Sequence, residues 1–393
     1  MHPAGPHPLF PHPGAAARLV ALCPAGAEGV CAAEVAALPS VRSVRPGRGA
    51  VTFWGTREVL YRANLHLRTP SRILGLLSDA PCDGPQALYA QARALPWEAY
   101  LQPRGTLAVS ARGVLPSLRN TMFTAQRVKD AICDRFREQS GLRPDVHPED
   151  PDVRVNVQLY TMGGQGRCAL ALDSSGEALH RRGYRVPGTA APMKETLAAA
   201  ILLLSGYAGG PLVDPLCGGG TLLIEGGLLA LGRAPGLGRR FGFQRWLDFD
   251  EALWERLVQE ATAAARRPAG PFLFGSDIDP RALAAAEQAA RSAGLAEAMR
   301  LQALDVRALV PPAGPPGLLV CNPPYGERMG REPELRSLYR ALGEVLQERF
   351  SGYRACIYSA NRALVRQIGL QPRCRHVLPN GGLPGQLLCF ELA

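Results

Sequence analysis

The feature that most restricts the fold of this chain is an alternation of short apolar runs with helical segments after about residue 188. Four of the apolar runs predict strands, and four segments beside them predict helices. The predicted strands are 211–214, 272–276, 318–321 and 354–358, and the predicted helices are 192–204, 220–231, 280–293 and 333–349. Because short apolar strands that alternate with helices are typical of buried parallel sheets, we expect an α/β domain with a doubly wound, mostly parallel sheet over residues 187–393.

The residues before this domain follow a mixed α+β pattern. Short β-type segments around an alanine-rich helix occupy residues 17–68. Helical periodicity over 120–139 predicts a long helix, and alternation of apolar and polar residues over 153–159 predicts a half-buried strand. The sequence therefore predicts an N-terminal α+β region to about residue 185, ahead of the α/β domain.

The first 16 residues read as a disordered tail rich in proline and histidine. His2, His7 and His12 recur every five residues, which would suit a metal ion if a helix gathered them. The prolines beside these histidines prevent such a helix, so we expect a solvated tail without a metal.

Composition narrows the cellular setting and the partner. No apolar run reaches the length of a membrane span, and the N-terminus lacks the basic and apolar regions of a secretion signal. The ten cysteines form no C-x-x-C pair, so we expect a cytoplasmic protein without a metal site.

The net charge is +10, and arginine supplies 42 of the 44 basic residues. Residues 1–188 carry +7 of this charge, which favours a polyanionic partner, although a GC-rich genome could also explain the arginine content.

A glycine-rich turn follows the first predicted strand of the α/β domain. Residues 212–221 read L-V-D-P-L-C-G-G-G-T, and the glycines allow a ligand to approach the backbone closely. Leu223 stands where a dinucleotide fingerprint needs its third glycine, and no lysine precedes Thr221 as a phosphate-binding loop requires. Asp214 instead suits a cationic, non-phosphorylated ligand such as a sulfonium with an amino-acid tail. The alternative is a tight strand–helix turn without a ligand.

Further carboxylates follow two later strands of the same domain, so that Asp214, Asp277 and Asp305 form a series of three. Asp277 is placed to accept hydrogen bonds from ribose hydroxyls, while Asp279 suits a helix cap. Asp305 could accept from an adenine amine. Each alone is more often a cap, but three in series after successive strands favour an adenosyl ligand.

The second chemical motif is Asn322-Pro323-Pro324-Tyr325, directly after the strand 318–321. Consecutive prolines fix the backbone and leave carbonyls that only accept hydrogen bonds. Asn322 adds a side-chain acceptor, and Tyr325 adds a flat face for a base. This set suits an exocyclic amine on a planar ring, which loses its proton after alkylation and needs little general-base help. A rigid turn with a packing tyrosine is the alternative.

Together these two motifs resemble those of S-adenosylmethionine-dependent RNA methyltransferases that carry a THUMP domain. The resemblance extends upstream through residues 118–120, 128–132, 151–157, 174–185 and 193–200. It implies a ferredoxin-like part at 17–68, a THUMP RNA-binding domain at 69–186 and a Rossmann-like methyltransferase domain at 187–393. The bacterial large-subunit type of this family implies methylation of a guanine N2 in 23S rRNA.

The resemblance assigns roles to named residues. The catalytic residues expected are Asn322, Pro323, Pro324 and Tyr325. The residues expected to bind S-adenosylmethionine are Asp214, Pro215, Cys217, Gly218, Gly220, Thr221, Asp277, Ile278, Asp305, Val306 and Lys194. The residues expected to contact RNA are Arg119, Arg127, Lys129, Arg181, Arg182 and Arg185. Lys194 alternatively has a surface or capping role, and the last three arginines alternatively pair with the acidic loop 149–152.

Two departures from the family pattern bear on these expectations. Gly219 stands where relatives often have serine, which removes one hydrogen-bond donor from the turn. Some relatives carry a second methyltransferase module, whereas this sequence ends at Ala393, so we expect one activity.

Other functions remain open on sequence grounds. The N-P-P-Y motif also serves adenine N6 and cytosine N4, so it does not select the acceptor. Guanine-N2 methylation of tRNA and adenine-N6 methylation of DNA are the enzymatic alternatives. A non-catalytic RNA-binding ribosome-assembly factor is the alternative from another class, although such a protein would not need Asp214, Asp277 and Asn322 together.

Overall fold

The computed structural model describes residues 8–185, 193–325 and 332–393. Its strands are Ala17–Leu22 (β1), Arg42–Gly47 (β2), Ala50–Gly55 (β3), Arg72–Pro81 (β4), Thr106–Arg112 (β5), Asp145–Val146 (β6), Val153–Met162 (β7), Gln165–Asp173 (β8), Leu212–Asp214 (β9), Leu273–Asp277 (β10), Met299–Ala303 (β11), Leu318–Cys321 (β12), Arg354–Ser359 (β13), Cys374–Val377 (β14) and Gln386–Glu391 (β15). Its α-helices are Glu28–Ala36 (α1), Arg57–His66 (α2), Pro85–Ala94 (α3), Thr121–Ser140 (α4), Glu195–Leu204 (α5), Thr221–Ala230 (α6), Glu251–Ala264 (α7), Pro280–Ser292 (α8), Glu332–Arg349 (α9) and Arg362–Val365 (α10).

The N-terminal half forms a continuous sheet. Within the described residues, eight strands pair in the order β2-β3-β1-β4-β8-β7-β5-β6. The predicted long helix is α4, where the Asn120 side chain accepts from the Phe123 amide at 3.0 Å and Gly141 ends the helix with a left-handed backbone. Val128, Ile132 and Phe136 are buried on one face of α4, as the periodicity predicted.

The C-terminal half contains the predicted parallel sheet. Its order over the described residues is β11-β10-β9-β12-β13-β15-β14, and the strands from β11 to β13 run parallel. Along the chain, β10 and β11 extend the sheet on one side of β9, and β12 and β13 extend it on the other. Such a reversal opens a crevice at the carboxyl ends of the two central strands, which is where open α/β sheets bind ligands. The α/β fold is therefore confirmed.

One segment of the C-terminal half packs into the core of the N-terminal half. This bridging segment, residues 234–264, includes α7 and lies between α6 and β10. The Phe243 ring stacks on Tyr61 of α2 with centroids 4.2 Å apart, and Trp254 meets the Tyr61 ring edge-on. No helix or strand was predicted for this stretch. The two halves consequently share a hydrophobic core.

The expectation of a disordered tail to residue 16 is wrong for residues 8–16. Leu9 and Phe10 are buried against the N-terminal sheet, and the Leu9 amide donates to the Tyr100 hydroxyl. Burial of two large apolar side chains offsets the entropy lost by ordering this short stretch. His2 and His7, like the domain boundary at 186/187, lie outside the described residues.

Across the described ranges, we find no helix that is both long enough and apolar enough to cross a bilayer.

Candidate functional site

The glycine-rich turn forms a cradle between β9 and α6. The Cys217 amide donates to the Ser276 carbonyl at 2.9 Å, which ties the turn to the end of β10. Gly218 and Gly220 have φ angles of +51° and +76°, which side-chain-bearing residues rarely adopt. A Cβ on Gly220 would also lie 3.1 Å from the Ala286 Cβ, whereas one on Gly219 would meet nothing. The turn thus leaves an open, backbone-lined surface at the crevice.

Asp214 is buried beneath this cradle. Its Oδ1 accepts from the Leu216 amide at 3.2 Å. Burial raises the pKa of the Asp214 carboxyl to about 8, and the nearby charge of Asp277 adds to this shift. A cationic group bound at the cradle would favour the ionised carboxylate, because opposite charges at close range stabilise each other. Asp214 therefore fits the predicted cationic ligand.

Asp277 lies at the end of β10 and closes the cradle from the side. Its Oδ2 accepts from the Gly218 amide at 2.9 Å, and its Oδ1 accepts from the Asp279 amide at 3.0 Å. Asp279 caps α8, as expected, by accepting from the Arg281 amide at 2.9 Å. The neighbouring Ile278 side chain is 70% exposed. An exposed apolar side chain beside a carboxylate suits a planar base attached to a ribose.

Asp305 acts as a cap in this structure. Its Oδ1 accepts from the Arg307 amide at 2.8 Å, and its Oδ2 pairs with the Arg307 guanidinium at 3.0 Å. The next residue, Val306, is buried in the core. Lys194 is exposed just before α5 and makes no side-chain capping bond there. Cofactor roles for these three residues stay predictions.

The Asn322–Tyr325 motif follows β12, the strand that pairs with β9. Its position puts it beside the cradle, because the carboxyl ends of paired parallel strands share one edge of the sheet. The Asn322 Oδ1 is buried and has no hydrogen-bond partner among the described residues. Such an acceptor costs about 1–3 kcal/mol unless a ligand supplies a donor. The motif thus presents an unfilled acceptor at the crevice.

Tyr325 is held from a distant part of the chain. Its ring meets Tyr358 edge-on with centroids 6.4 Å apart, and its hydroxyl hydrogen-bonds to the side chain of Asn380. Burial raises the pKa of the Tyr325 phenol, so the ring remains neutral. Asn380 lies in the turn between β14 and β15. Sequence reasoning missed it, although P-N-G-G at 379–382 is a strong turn signal.

The residues expected to contact RNA divide into exposed and internal ones. Arg119 is exposed near the start of α4, beside Met122 and Phe123, which are 71% and 45% exposed. Arg127 lies over the Tyr89 ring at 4.3 Å, and Lys129 pairs with Asp130. RNA contact by these residues stays a prediction.

The structure corrects the role expected for Arg182. Its side chain is only 3% exposed, lies 3.5 Å from Glu225 and donates to two backbone carbonyls. It cannot reach a phosphate without leaving a buried carboxylate unpaired. The alternative pairing of residues 181, 182 and 185 with loop 149–152 is also wrong, because Arg245 pairs with Asp150 there.

Arg181 and Arg185 pair with acidic residues near themselves in sequence. Arg181 forms an exposed ion pair with Glu177 at 2.5 Å. Arg185 pairs with Glu195 at 2.9 Å and donates to the Thr221 hydroxyl at 3.3 Å, which places it at the cradle. The cradle thus includes one guanidinium that sequence reasoning had assigned to RNA.

The donor set of this crevice fits S-adenosylmethionine. Buried Asp214 suits a positive group, Asp277 has carboxylate oxygens that suit hydroxyls, and the open glycine backbone leaves space beside them. Arg185, which pairs with Glu195, also reaches the Thr221 hydroxyl at this crevice.

Comparison with known families divides the chain into three matches. Residues 18–74 match the RlmL ferredoxin-like domain, residues 85–163 match the THUMP domain, and residues 182–387 match the RMKL-like methyltransferase domain.

Similar proteins cover nearly the whole chain. Ribosomal RNA large subunit methyltransferase K/L of Syntrophotalea carbinolica is 42% identical over 96% of this chain and 54% of its own length. A Synechocystis sp. protein, whose name places it provisionally among RNA methyltransferases, is 41% identical over 93% of this chain and 94% of its own. A solved structure of SMU.472, provisionally described as a methyltransferase and complexed with SAH, has a TM-score of 0.84 at 30% identity. It covers 96% of this chain and 98% of that one. The chain thus spans about half the length of the K/L relative.

Proposed function

The chain belongs to the family of THUMP-containing, RMKL-like methyltransferases, and from this premise we propose that it methylates the exocyclic N2 of a guanine in large-subunit ribosomal RNA. The observation that carries the proposal is the buried, unpartnered Oδ1 of Asn322 at the carboxyl edge of the sheet. An exocyclic amine offers the donor that this oxygen lacks.

The N-P-P-Y residues hold the amine and the base. One amine hydrogen donates to the Asn322 Oδ1 and the other to the Pro323 carbonyl, which draws the nitrogen toward tetrahedral geometry. Its lone pair then points out of the ring plane. Tyr325 supplies a neutral aromatic face for the base, and Asn380 fixes the orientation of that face. Orientation of the nucleophile provides most of the rate gain, and the proton leaves after alkylation.

Asp214, Asp277 and Arg185 hold the cofactor. S-adenosylmethionine, when bound, supplies a methyl group made electrophilic by its sulfonium. Asp214 compensates positive charge, Asp277 accepts from ribose hydroxyls, and Arg185 pairs with the carboxylate of the amino-acid tail. Because β10 and β12 both pair with β9, Asp214 and Asp277 lie at the same edge of the sheet as Asn322.

The N-terminal half delivers the RNA. It carries most of the net positive charge, and Arg119 lies exposed beside the apolar Met122 and Phe123. Guanidinium groups contact phosphates, while an exposed aromatic ring stacks on an unpaired base. The target guanine leaves its own stack to enter the crevice, at a cost of a few kcal/mol.

The experiment supplies the purified chain with S-adenosylmethionine carrying a labelled methyl group and, separately, with unmodified 23S rRNA, tRNA or DNA. Each nucleic acid is then digested, and the labelled nucleoside is identified by mass spectrometry. The proposal predicts N2-methylguanosine from 23S rRNA. N2-methylguanosine from tRNA alone would move the substrate to tRNA, and N6-methyladenine from DNA would contradict the proposal.

A further inference from the structure

Three cysteines form a row across one edge of the C-terminal sheet. Cys356 of β13 lies opposite Cys389 of β15, and Cys389 lies opposite Cys374 of β14. His376 follows Cys374 by two residues, so both side chains project from the same face of β14. The register of the sheet thereby brings the ligand atoms of Cys374, His376 and Cys389 together from two strands, with Cys356 on the next strand.

The distances among the ligand atoms of Cys374, His376 and Cys389 match those of a tetrahedral metal site. The Cys374 Sγ lies 3.6 Å from the His376 Nε2, and the ligand atoms of Cys374, His376 and Cys389 all lie within 4.8 Å of one another. A tetrahedral zinc ion with its usual bond lengths separates a sulfur and a nitrogen ligand by about 3.6 Å. The side chains therefore need only small rotations to share one ion.

A further cysteine, Cys356, lies directly opposite Cys389 on β13 and is buried. Its thiol lies outside the group of three ligand atoms that come within 4.8 Å of one another. A cavity of about 320 Å³ is lined by Cys356, Cys374 and Cys389, together with Arg354 and Arg373. The cavity gives the ion a path from solvent, and it is also lined by Glu391, which pairs with Arg373.

We propose that Cys374, His376 and Cys389 form a binding site for a zinc-class metal ion. Thiolate and imidazole ligands together favour such ions over magnesium or calcium. Each thiol that coordinates releases one proton, and the imidazole binds as the neutral ring. These three protein ligands leave one position of a tetrahedral ion for water or for a rotated Cys356 side chain.

The site would fasten the exposed edge of the sheet. The outermost strand, β14, spans only Cys374–Val377, and it continues into the turn that carries Asn380. Anchoring β14 to β15 through a metal would fix the start of that turn. The site thus supports the contact of Asn380 with Tyr325 without taking part in methyl transfer.

The test uses the whole chain without an affinity tag, treated with a chelator and then titrated with Zn²⁺ alone and with Co²⁺ alone. We expect one ion per chain, a visible Co²⁺ spectrum with thiolate-to-metal charge transfer and tetrahedral ligand-field bands, and a Zn²⁺-dependent rise in Tm. Removing a ligand by Cys374→Ser or His376→Ala should weaken Zn²⁺ binding by at least about 100-fold, because loss of a mere outer-shell partner costs 10–100-fold.

The matched control is Cys23→Ser. Cys23 is also a free cysteine, but it is buried in the N-terminal half, and this variant should bind Zn²⁺ as the parent does. Cys374 is exposed, so its serine variant keeps the fold and a loss of binding reflects the ligand. Failure of the parent chain to bind Zn²⁺ stoichiometrically would overturn the proposal. Undiminished binding by the Cys374→Ser variant, or a Cys374–Cys389 disulfide in protein kept under reductant, would overturn it as well.

Discussion

At the scale of single residues, the chemistry depends on two buried polar groups that pay a folding cost for their position. The Asn322 Oδ1 lacks a donor among the described residues, and the Asp214 carboxyl is buried beside the charge of Asp277. Buried polar groups of this kind are common at functional sites, because a bound ligand supplies the hydrogen-bond donor or the opposite charge that the protein does not. Arg182 differs, because its guanidinium pairs with the Glu225 carboxylate at 3.5 Å and donates to two backbone carbonyls of the protein itself.

The raised pKa of Asp214 predicts a specific pH dependence of stability. The folded carboxyl holds its proton up to a pH of about 8, whereas the unfolded one releases it near 3.9. Between these values the folded state binds more protons, so this group lowers the free energy of unfolding as the pH rises from about 4 to about 8. Asp214→Asn keeps an acceptor for the Leu216 amide but cannot titrate. It should therefore remove this part of the pH dependence of the free energy of unfolding, which is on the order of a few kcal/mol.

Urea denaturation of the cofactor-free protein at several pH values measures this effect. The exposed substitution Asp83→Asn is the control and should leave the pH profile unchanged. Identical profiles for the parent and Asp214→Asn would contradict the assigned pKa.

At the scale of elements, the turn between β14 and β15 predicts a positioning effect on catalysis. Asn380→Ala removes the side-chain hydrogen bond to Tyr325 and leaves the backbone bonds between Asn380 and Leu383 in place. One hydrogen bond is worth about 0.5–1.5 kcal/mol, so single-turnover methyl transfer should slow by roughly 2- to 12-fold. The dissociation constant for the cofactor, measured by calorimetry, should not change.

Gly382→Ala provides a control in the same turn, because a Cβ there meets no atom within 4 Å. It should transfer methyl groups at the parental rate. An unchanged rate for Asn380→Ala would remove the positioning role of this turn.

Elements with strong local patterns could be predicted from the sequence, and those defined by tertiary contacts could not. The strand β12 and the helix α4 follow directly from apolar runs and periodicity. By contrast, β14 is a short strand whose residues are mostly exposed, so no apolar pattern marks it. The helix α7 also carries a local pattern, since Trp254, Leu257 and Ala261 recur with helical spacing after the cap Asp250, but no helix was predicted there. Only the fold shows that this face packs on a core contributed by the other half of the chain.

The candidate site shows the same division. Its two motifs were evident because each is contiguous and directly follows a predicted strand. The contact of Asn380 with Tyr325 depends on the pairing of β15 with β13, and the cysteine row depends on the register of three strands. The spacing of residues in the sequence does not indicate which strands pair or in which register. Likewise, nothing in the sequence distinguishes the arginine at 119 from the one at 182, and only the fold shows that the first is exposed and the second is buried.

At the scale of the whole molecule, the bridging segment couples the two halves mechanically. Phe243 belongs to the C-terminal half and is fully buried against Tyr61 of the N-terminal half. Phe243→Ala should lower the free energy of unfolding by about 3–5 kcal/mol. Because the core is shared, hydrogen exchange should also accelerate in α2, far away in sequence.

Leu247→Ala, in the same segment, is the control. Its side chain is 50% exposed, and the change should cost no more than about 0.5 kcal/mol. If Phe243→Ala left exchange in α2 unaltered, the two halves would fold independently of this contact.

The uneven charge of the molecule predicts a salt-dependent grip on RNA. Arg119→Ala should reduce the slope of log affinity against log salt by about 1, because one phosphate contact is lost. Arg291→Ala removes an exposed arginine that pairs with Glu287 on α8, in the half with little net charge, and should leave the slope unchanged. Filter binding to 23S rRNA at several salt concentrations distinguishes these results. Equal slopes for Arg119→Ala and the parent would exclude this residue from the RNA surface.

The most direct test of the account compares methyl transfer with cofactor binding in Asn322→Ala. Removing one preorganised hydrogen-bonding group at a reacting atom typically costs about 10²–10³ in rate. We expect single-turnover transfer to 23S rRNA to fall by that factor, while the dissociation constant for S-adenosylmethionine stays within about 3-fold of the parental value, a change of less than 1 kcal/mol. Transfer at the parental rate would contradict the proposal, because it would show that the unpartnered Asn322 oxygen does not hold the target amine.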